Sequence, residues 1–269
     1  LYYDPAPPTP CDYLICESTY GNRDHPEGDL LTALEQVVKR SIERGGVMLL
    51  ASFAIGRAQQ LIYLLQVLKA EGRIDDLPIY LDSPMACNAT EVYRQFSHDH
   101  DLAEGQLKGD RPVLGGPRVH LCRSTEESKA LNHLNGPAII ISSSGMMTGG
   151  RIVHHLKKRL PDAANTIVLG GYMAIGTRGR LLQDGAETLR MHGQDVPVQA
   201  AVENVPGLSG HADRSGLLRW LSDLPDPRRV FLTHGEPDSA AALAEELTAS
   251  KGWDVATPQL GDTFTLEAS

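Results

Sequence analysis

From Val47 onward, short apolar runs alternate with segments of helical period, and that alternation restricts the fold more than any other property of the sequence. An aliphatic run too short for a buried helix fits a strand covered on both faces, and a strand-helix-strand rhythm builds a mostly parallel sheet layered with helices. The class expected is therefore α/β. Residues 47–52, 77–82, 119–122, 138–142, 166–169, 198–202 and 230–233 read as strands, while Leu61, Leu64, Leu65 and Leu68 fall on one face of a helix. Residues 99–118, rich in glycine and charge, read as an irregular surface connection, and the proline-rich run 5–10 as an extended linker from a preceding domain.

Composition narrows the function classes without choosing one. A formal net charge of -9 repels polyanions, so nucleic-acid binding would need a local basic stripe. The four cysteines, Cys11, Cys16, Cys87 and Cys122, have no CxxC spacing, which argues against a disulfide scaffold and a zinc ribbon and for buried, reduced thiols. No apolar run approaches the length of a membrane span and the opening residues lack a signal-peptide pattern, so a cytoplasmic protein with no membrane partner is expected.

Polar residues at strand ends come next, because the carboxyl ends of strands in α/β folds open onto ligand crevices. A short apolar strand from Tyr13 ends in Glu17 and a Ser-Thr-Tyr-Gly turn. Glu17 alone could equally cap neighbouring backbone amides. A small-residue turn, Leu208-Ser-Gly-His-Ala-Asp-Arg214, presents His211 just before a helix that Asp213 could cap, and His211 alone could be a satisfied surface group. The strand ending at Thr233 delivers His234 before a glycine turn. Imidazole is the commonest metal-binding side chain and the natural proton carrier near neutral pH, so His234 suits a ligand and His211 a general acid.

Taken in order, Glu17-Ser-Thr-Tyr-Gly21, Ser209-Gly-His-Ala-Asp213 and Thr233-His-Gly-Glu236 resemble the three diagnostic motifs of the β-CASP nucleases, a branch of the metallo-β-lactamase fold. The resemblance extends to Ser52-Phe-Ala-Ile-Gly-Arg57, Leu81-Asp-Ser-Pro-Met-Ala86, Ser142 to Arg151 and Gly171 to Arg180, and so covers nearly the whole chain. It implies a Rossmann-like α/β β-CASP domain over residues 21–209, inserted into an incomplete αββα metallo-β-lactamase half formed by 1–20 and 210–269, with the active site in the cleft between them. It also implies RNA cleavage by two zinc ions, with His234 as a zinc ligand and Glu17 and His211 as an acid/base pair in which Glu17 orients the imidazole. A histidine at the third motif, where the DNA-acting branch usually has an apolar residue, favours RNA.

The family's main metal cluster, His-x-His-x-Asp-His, is absent from the sequence. The expectation is that this cluster lies upstream, and that the 269-residue chain alone, with one predicted ligand, neither holds two zinc ions nor cleaves RNA. His98 and His100 read as a solvated helix end rather than a substitute site.

Backbone amides of glycine-rich turns that open helices make ready anion sites. Ser144, Thr148, Arg178 and Arg180 lie on two such turns and are the candidate phosphate contacts. The helix after Gly150 shows an apolar face of Ile152, Val153, Leu156 and Leu160, with His154, His155, Lys157, Lys158 and Arg159 assigned to a solvated basic face. Arg57 could serve phosphate or pair with a buried carboxylate, of which the structural role is favoured, and Met146, Met147 and Met173 read as packing. With 5% aromatic residues, base stacking would fall to Phe53 or Tyr172. Two rivals remain: a non-catalytic RNA-binding or scaffolding homologue, and a metallo-β-lactamase-fold hydrolase of small thioesters or lactams. Homodimerisation, base preference and endonuclease against 5′ exonuclease action are left open by the sequence.

Overall fold

The computed structural model describes residues 5–100, 102, 114–205 and 207–267. Most of the connection expected over 99–118 lies outside these residues. The chain divides into two compact units, one holding Glu27–Ser209 and the other Asp4–Pro26 with Gly210–Ser269.

In the first unit, the described residues form a six-stranded sheet from β2 (Val47–Ala51), β3 (Ile79–Asp82), β4 (Val119–Cys122), β5 (Ala138–Ser142), β6 (Thr166–Leu169) and β9 (Ala201–Asn204). The order is β4-β3-β5-β2-β6-β9, and every pairing is parallel. The α/β class read from the alternation is the class observed. Odd and even residues of the central strands enter opposite cores. Met48, Leu50, Ile139, Ile141 and Val168 pack with the helices Leu30–Arg44, Arg57–Ala70 and Pro84–Gln95, whereas Val47, Leu49, Ile140, Ile167 and Leu169 pack with Arg151–Arg159 and Arg178–Gln183. Each fully buried aliphatic side chain contributes about 1.5–3 kcal/mol relative to exposure, which is why these strands carry uninterrupted apolar runs.

The end positions have local causes. Asp29 caps the first helix through the N–H groups of Leu31 and Thr32, and Gly45 ends it at φ +80°. The strand expected at 198–202 begins three residues later, at Ala201, because an antiparallel hairpin of β7 (Thr188–Met191) and β8 (Gln194–Pro197) occupies the chain before it. Its turn is His192-Gly193, with φ +46° and +76°, a two-residue turn of the kind more often announced by Asn-Gly.

Several side-chain expectations need correction. His155 and Arg159 are 1% and 4% exposed and belong to the buried face of their helix. His155 Nε2 lies 2.6 Å from Asp82 Oδ2, while Arg159 donates to the carbonyls of Leu131 and Leu134 at 2.6 Å each. His100 is also buried, its Nε2 2.9 Å from the Tyr93 carbonyl and its ring stacked on Tyr93, so only His98 of that pair is solvated. Cys11 is exposed, unlike the other three cysteines. Arg57 is buried as a structural residue, and its guanidinium donates to a backbone acceptor, the Gly170 carbonyl, at 2.7 Å. Met147 and Met173 are core residues, as expected.

The second unit has a three-stranded parallel sheet among the described residues, ordered β1 (Tyr13–Glu17), β10 (Arg229–Thr233), β11 (Val255–Ala256). Cys16, Val230 and Leu232 pack there against Leu217 and Leu221 of the helix Arg214–Leu221 and Leu243 and Leu247 of the helix Pro237–Lys251. No helix among the described residues is long and apolar enough to cross a membrane.

Candidate active site

Parallel pairing of β1 with β10 sets Glu17 opposite Thr233, so both strands release their next residues at the same level of the sheet. Ser18 Oγ donates to the Thr233 carbonyl at 2.9 Å and stitches the two ends together. A Cβ at Gly235 would lie 2.4 Å from the Ser18 carbonyl oxygen, so the close approach requires glycine there. Just before it, His234 adopts φ +64°, a left-handed conformation that costs a non-glycine residue on the order of 1 kcal/mol and is held by its surroundings.

His211 arrives from the turn before the helix Arg214–Leu221. Asp213 is the N-cap of that helix, accepting from the Gly216 N–H at 2.8 Å. Burial disfavours the Asp213 carboxylate, but the N–H groups of Gly216 and His25 outweigh it and hold its pKa below the ordinary carboxylate value.

The three motif residues converge. His211 Nδ1 lies 3.3 Å from Glu17 Oε1, and one potential ligand atom from each of Glu17, His211 and His234 falls within 4.8 Å of the others. The imidazole centroids are 4.9 Å apart. Thr19, fully buried, links the group: its N–H donates to Glu17 Oε2 at 2.8 Å, and its hydroxyl lies 3.0 Å from His234 Nδ1 and 3.4 Å from His211 Nδ1. An imidazole engaged at Nδ1 directs Nε2 to a metal or a reacting atom. With its Nδ1 held by Thr19, His234 offers Nε2, a nitrogen donor of the kind zinc takes, so the site fits that ion through His234. The neighbouring Cys16 does not compete, since burial and the Glu17 charge push its thiol up to about 11.

The phosphate-contact candidates all lie in the first unit. Ser144 Oγ accepts from the Thr148 N–H at 3.1 Å and lies 3.2 Å from Thr148 Oγ1, closing the turn after β5. Arg178 donates to the carbonyls of Met147 and Thr148 at 3.2 and 3.1 Å and to that of Arg190 at 3.1 Å, so it braces the same turn. Arg180 sits one helical turn from Asp184 and pairs with it at 2.9 Å. The structure thus groups Ser144, Thr148 and Arg178, and turns Arg180 toward a carboxylate. Phe53 is 47% exposed, its ring so close to Gly145 that a Cβ there would come within 2.8 Å.

Comparison with known proteins identifies the group. Residues 58–182 match the model of the Beta-Casp domain, and residues 195–258 match that of the Zn-dependent metallo-hydrolase RNA specificity domain. The chain carries a Beta-Casp domain. Among its β-CASP relatives, a Thermus thermophilus protein named as a ribonuclease is 37% identical over 96% of this chain and 59% of its own length. The Pyrococcus abyssi transcription termination factor FttA is 34% identical over 94% of this chain and 40% of its own. An RNase J-like protein of Methanocaldococcus jannaschii is 31% identical over 87% of this chain and 54% of its own. The chain therefore spans between two fifths and three fifths of these relatives. Two residues around the site are not among the candidates named from the sequence. Thr19 lies inside the first motif and was visible there, while His25, whose Nε2 sits beside the His211 carbonyl, carries no local signal.

Proposed function

We propose that the protein is a zinc-dependent ribonuclease in which His234 holds zinc, His211 is the general acid and Glu17 orients it. The observation that carries this reading is the convergence of Glu17, His211 and His234 around Thr19, with both imidazoles engaged through Nδ1. A scaffold has no chemical need for that arrangement. Zinc, when bound, supplies a Lewis acid for the phosphodiester oxygens. The chain's own residues do the rest. His211, aligned by Glu17 Oε1, gives its proton to the leaving oxygen from Nε2.

RNA as substrate is supported by the RNA specificity match over 195–258 and by relatives named for RNA work. In the first unit, Ser144, Thr148 and Arg178 are the proposed phosphate contacts, with Arg180 contributing once it leaves Asp184. Residues 21–209 are proposed as the β-CASP insertion and the remainder as metallo-β-lactamase domain. The test is RNA cleavage by the whole protein as purified, after zinc removal by a chelator, and after zinc is restored. Cleavage lost and regained is expected. Cleavage indifferent to zinc, or no cleavage of any RNA by the zinc-loaded protein, would overturn the reading.

A further inference from the structure

The segment after Glu17 runs back along the turn that carries His211. Tyr20 makes a backbone bridge to Asp213, the Arg214 N–H donates to the Arg23 carbonyl at 3.1 Å, and the Ser215 N–H donates to Asp24 Oδ1 at 2.7 Å. His25 closes this seam at two points. Its N–H donates to Asp213 Oδ2 at 3.1 Å, and its Nε2 lies 3.1 Å from the carbonyl oxygen of His211 itself. Since a carbonyl only accepts, the proton of a neutral His25 sits on Nε2. The His25 ring is fixed in turn by an edge contact with Tyr20, centroids 4.5 Å apart at 68°.

We infer that His25 is a positioning residue for His211: its Nε2–H grips the His211 carbonyl and fixes the imidazole where Glu17 can align it. The inference rests on the general-acid reading of His211. His25 reaches the peptide of the acid, whereas the cap at Asp213 and the bonds at Arg214 and Ser215 fix only residues farther along the chain. Loss of the grip leaves the His211 carbonyl without this donor and lets the imidazole drift from Glu17. A displacement on that scale lowers turnover without touching zinc or the bulk of RNA binding.

The test compares His25→Gln with His25→Phe in the whole, zinc-loaded protein. Glutamine keeps an N–H donor near the position of Nε2, and phenylalanine keeps the ring contact with Tyr20 but no donor. His25→Phe should lose roughly ten-fold in kcat, the worth of about one hydrogen bond, with KM and zinc content unchanged, and His25→Gln should recover most of it. The loss should shrink on a phosphodiester whose leaving group departs unprotonated, and His25→Phe should add nothing to His211→Ala. Nitrogen NMR of the histidine-labelled wild type should show the His25 proton on Nε2, a readout that stands even if one variant fails to fold. If phenylalanine rescues better than glutamine, if the losses multiply with His211→Ala, or if the proton sits on Nδ1, the grip is wrong. If His211→Ala itself loses as much on the activated substrate as on RNA, the general-acid reading fails instead.

Discussion

Replacing Asp82 by asparagine should be costly, and the cost can be worked from its three donors. Asp82 is wholly buried at the carboxyl end of β3, with Arg151 Nη1 2.7 Å from Oδ1, and both His155 Nε2 and Ser128 Oγ 2.6 Å from Oδ2. Asparagine offers one oxygen. If that oxygen stays with Arg151, the amide faces His155, which must then accept at Nε2 and carry its proton on Nδ1. His155 Nδ1 is buried with no hydrogen-bond partner among the described residues, so that proton has nowhere to go. An unsatisfied buried donor costs about 1–3 kcal/mol, and the hydrogen bond to Arg151 loses the carboxylate charge worth a further ~1–2 kcal/mol. Asp82→Asn should therefore destabilise the first unit by about 3 kcal/mol at pH 7.

The pH dependence has a definite sign. Burial opposes ionisation of Asp82, yet the bonds from His155, Ser128 and Arg151 hold its pKa below the ordinary carboxylate value. A depressed carboxylate contributes stability that is present above its unfolded pKa, near ~4, and lost as pH falls through the folded value. Urea denaturation followed by circular dichroism should show the gap between wild type and Asp82→Asn at full size above pH ~5 and narrowing below pH ~4. A loss under ~1 kcal/mol at pH 7, or a gap unchanged down to the lowest pH at which both fold, would refute the reasoning.

Two other substitutions probe the turns. Gly235→Ala places a Cβ 2.4 Å from the Ser18 carbonyl, so it should prise β10 from β1 and lower the thermal midpoint by several degrees, with zinc bound by the whole protein falling alongside; a wild-type midpoint would show that the strand ends relax freely. Arg178→Ala in the whole protein should weaken RNA binding across sequences and reduce the logarithmic salt slope by roughly one unit, with Arg180→Ala no larger because Asp184 competes for that guanidinium; an unchanged slope for Arg178→Ala would leave it as a brace for the Ser144 turn.

The strands that could be read from sequence were those whose burial leaves one pattern. β2, β5 and β6 are covered on both faces and appear as plain apolar runs. The β7–β8 hairpin was hidden because its turn is His-Gly and its strands are half exposed. His155 and Arg159 are easily misassigned by residue type, although Ile152, His155, Leu156 and Arg159 stand at the spacing of one helix face and all are buried. Arg159 reaches backbone carbonyls and His155 an aspartate more than seventy residues away, partners that no local pattern announces. The convergence of Glu17, His211 and His234 came from recognising ordered motifs. Spacing along the chain could not bring together residues almost two hundred positions apart. His25 was silent because its partner there is a backbone carbonyl rather than a side chain.

The division of labour between the two histidines is tested most directly by comparing His234→Ala and His211→Ala in the whole protein for zinc stoichiometry and single-turnover rate. His234→Ala should lose zinc and activity together. His211→Ala should keep its zinc and lose roughly two to four powers of ten on RNA, with a much smaller loss on an activated phosphodiester. If His211→Ala loses zinc, or loses the same factor on both substrates, then His211 is a ligand or a structural support and the proposed chemistry is contradicted.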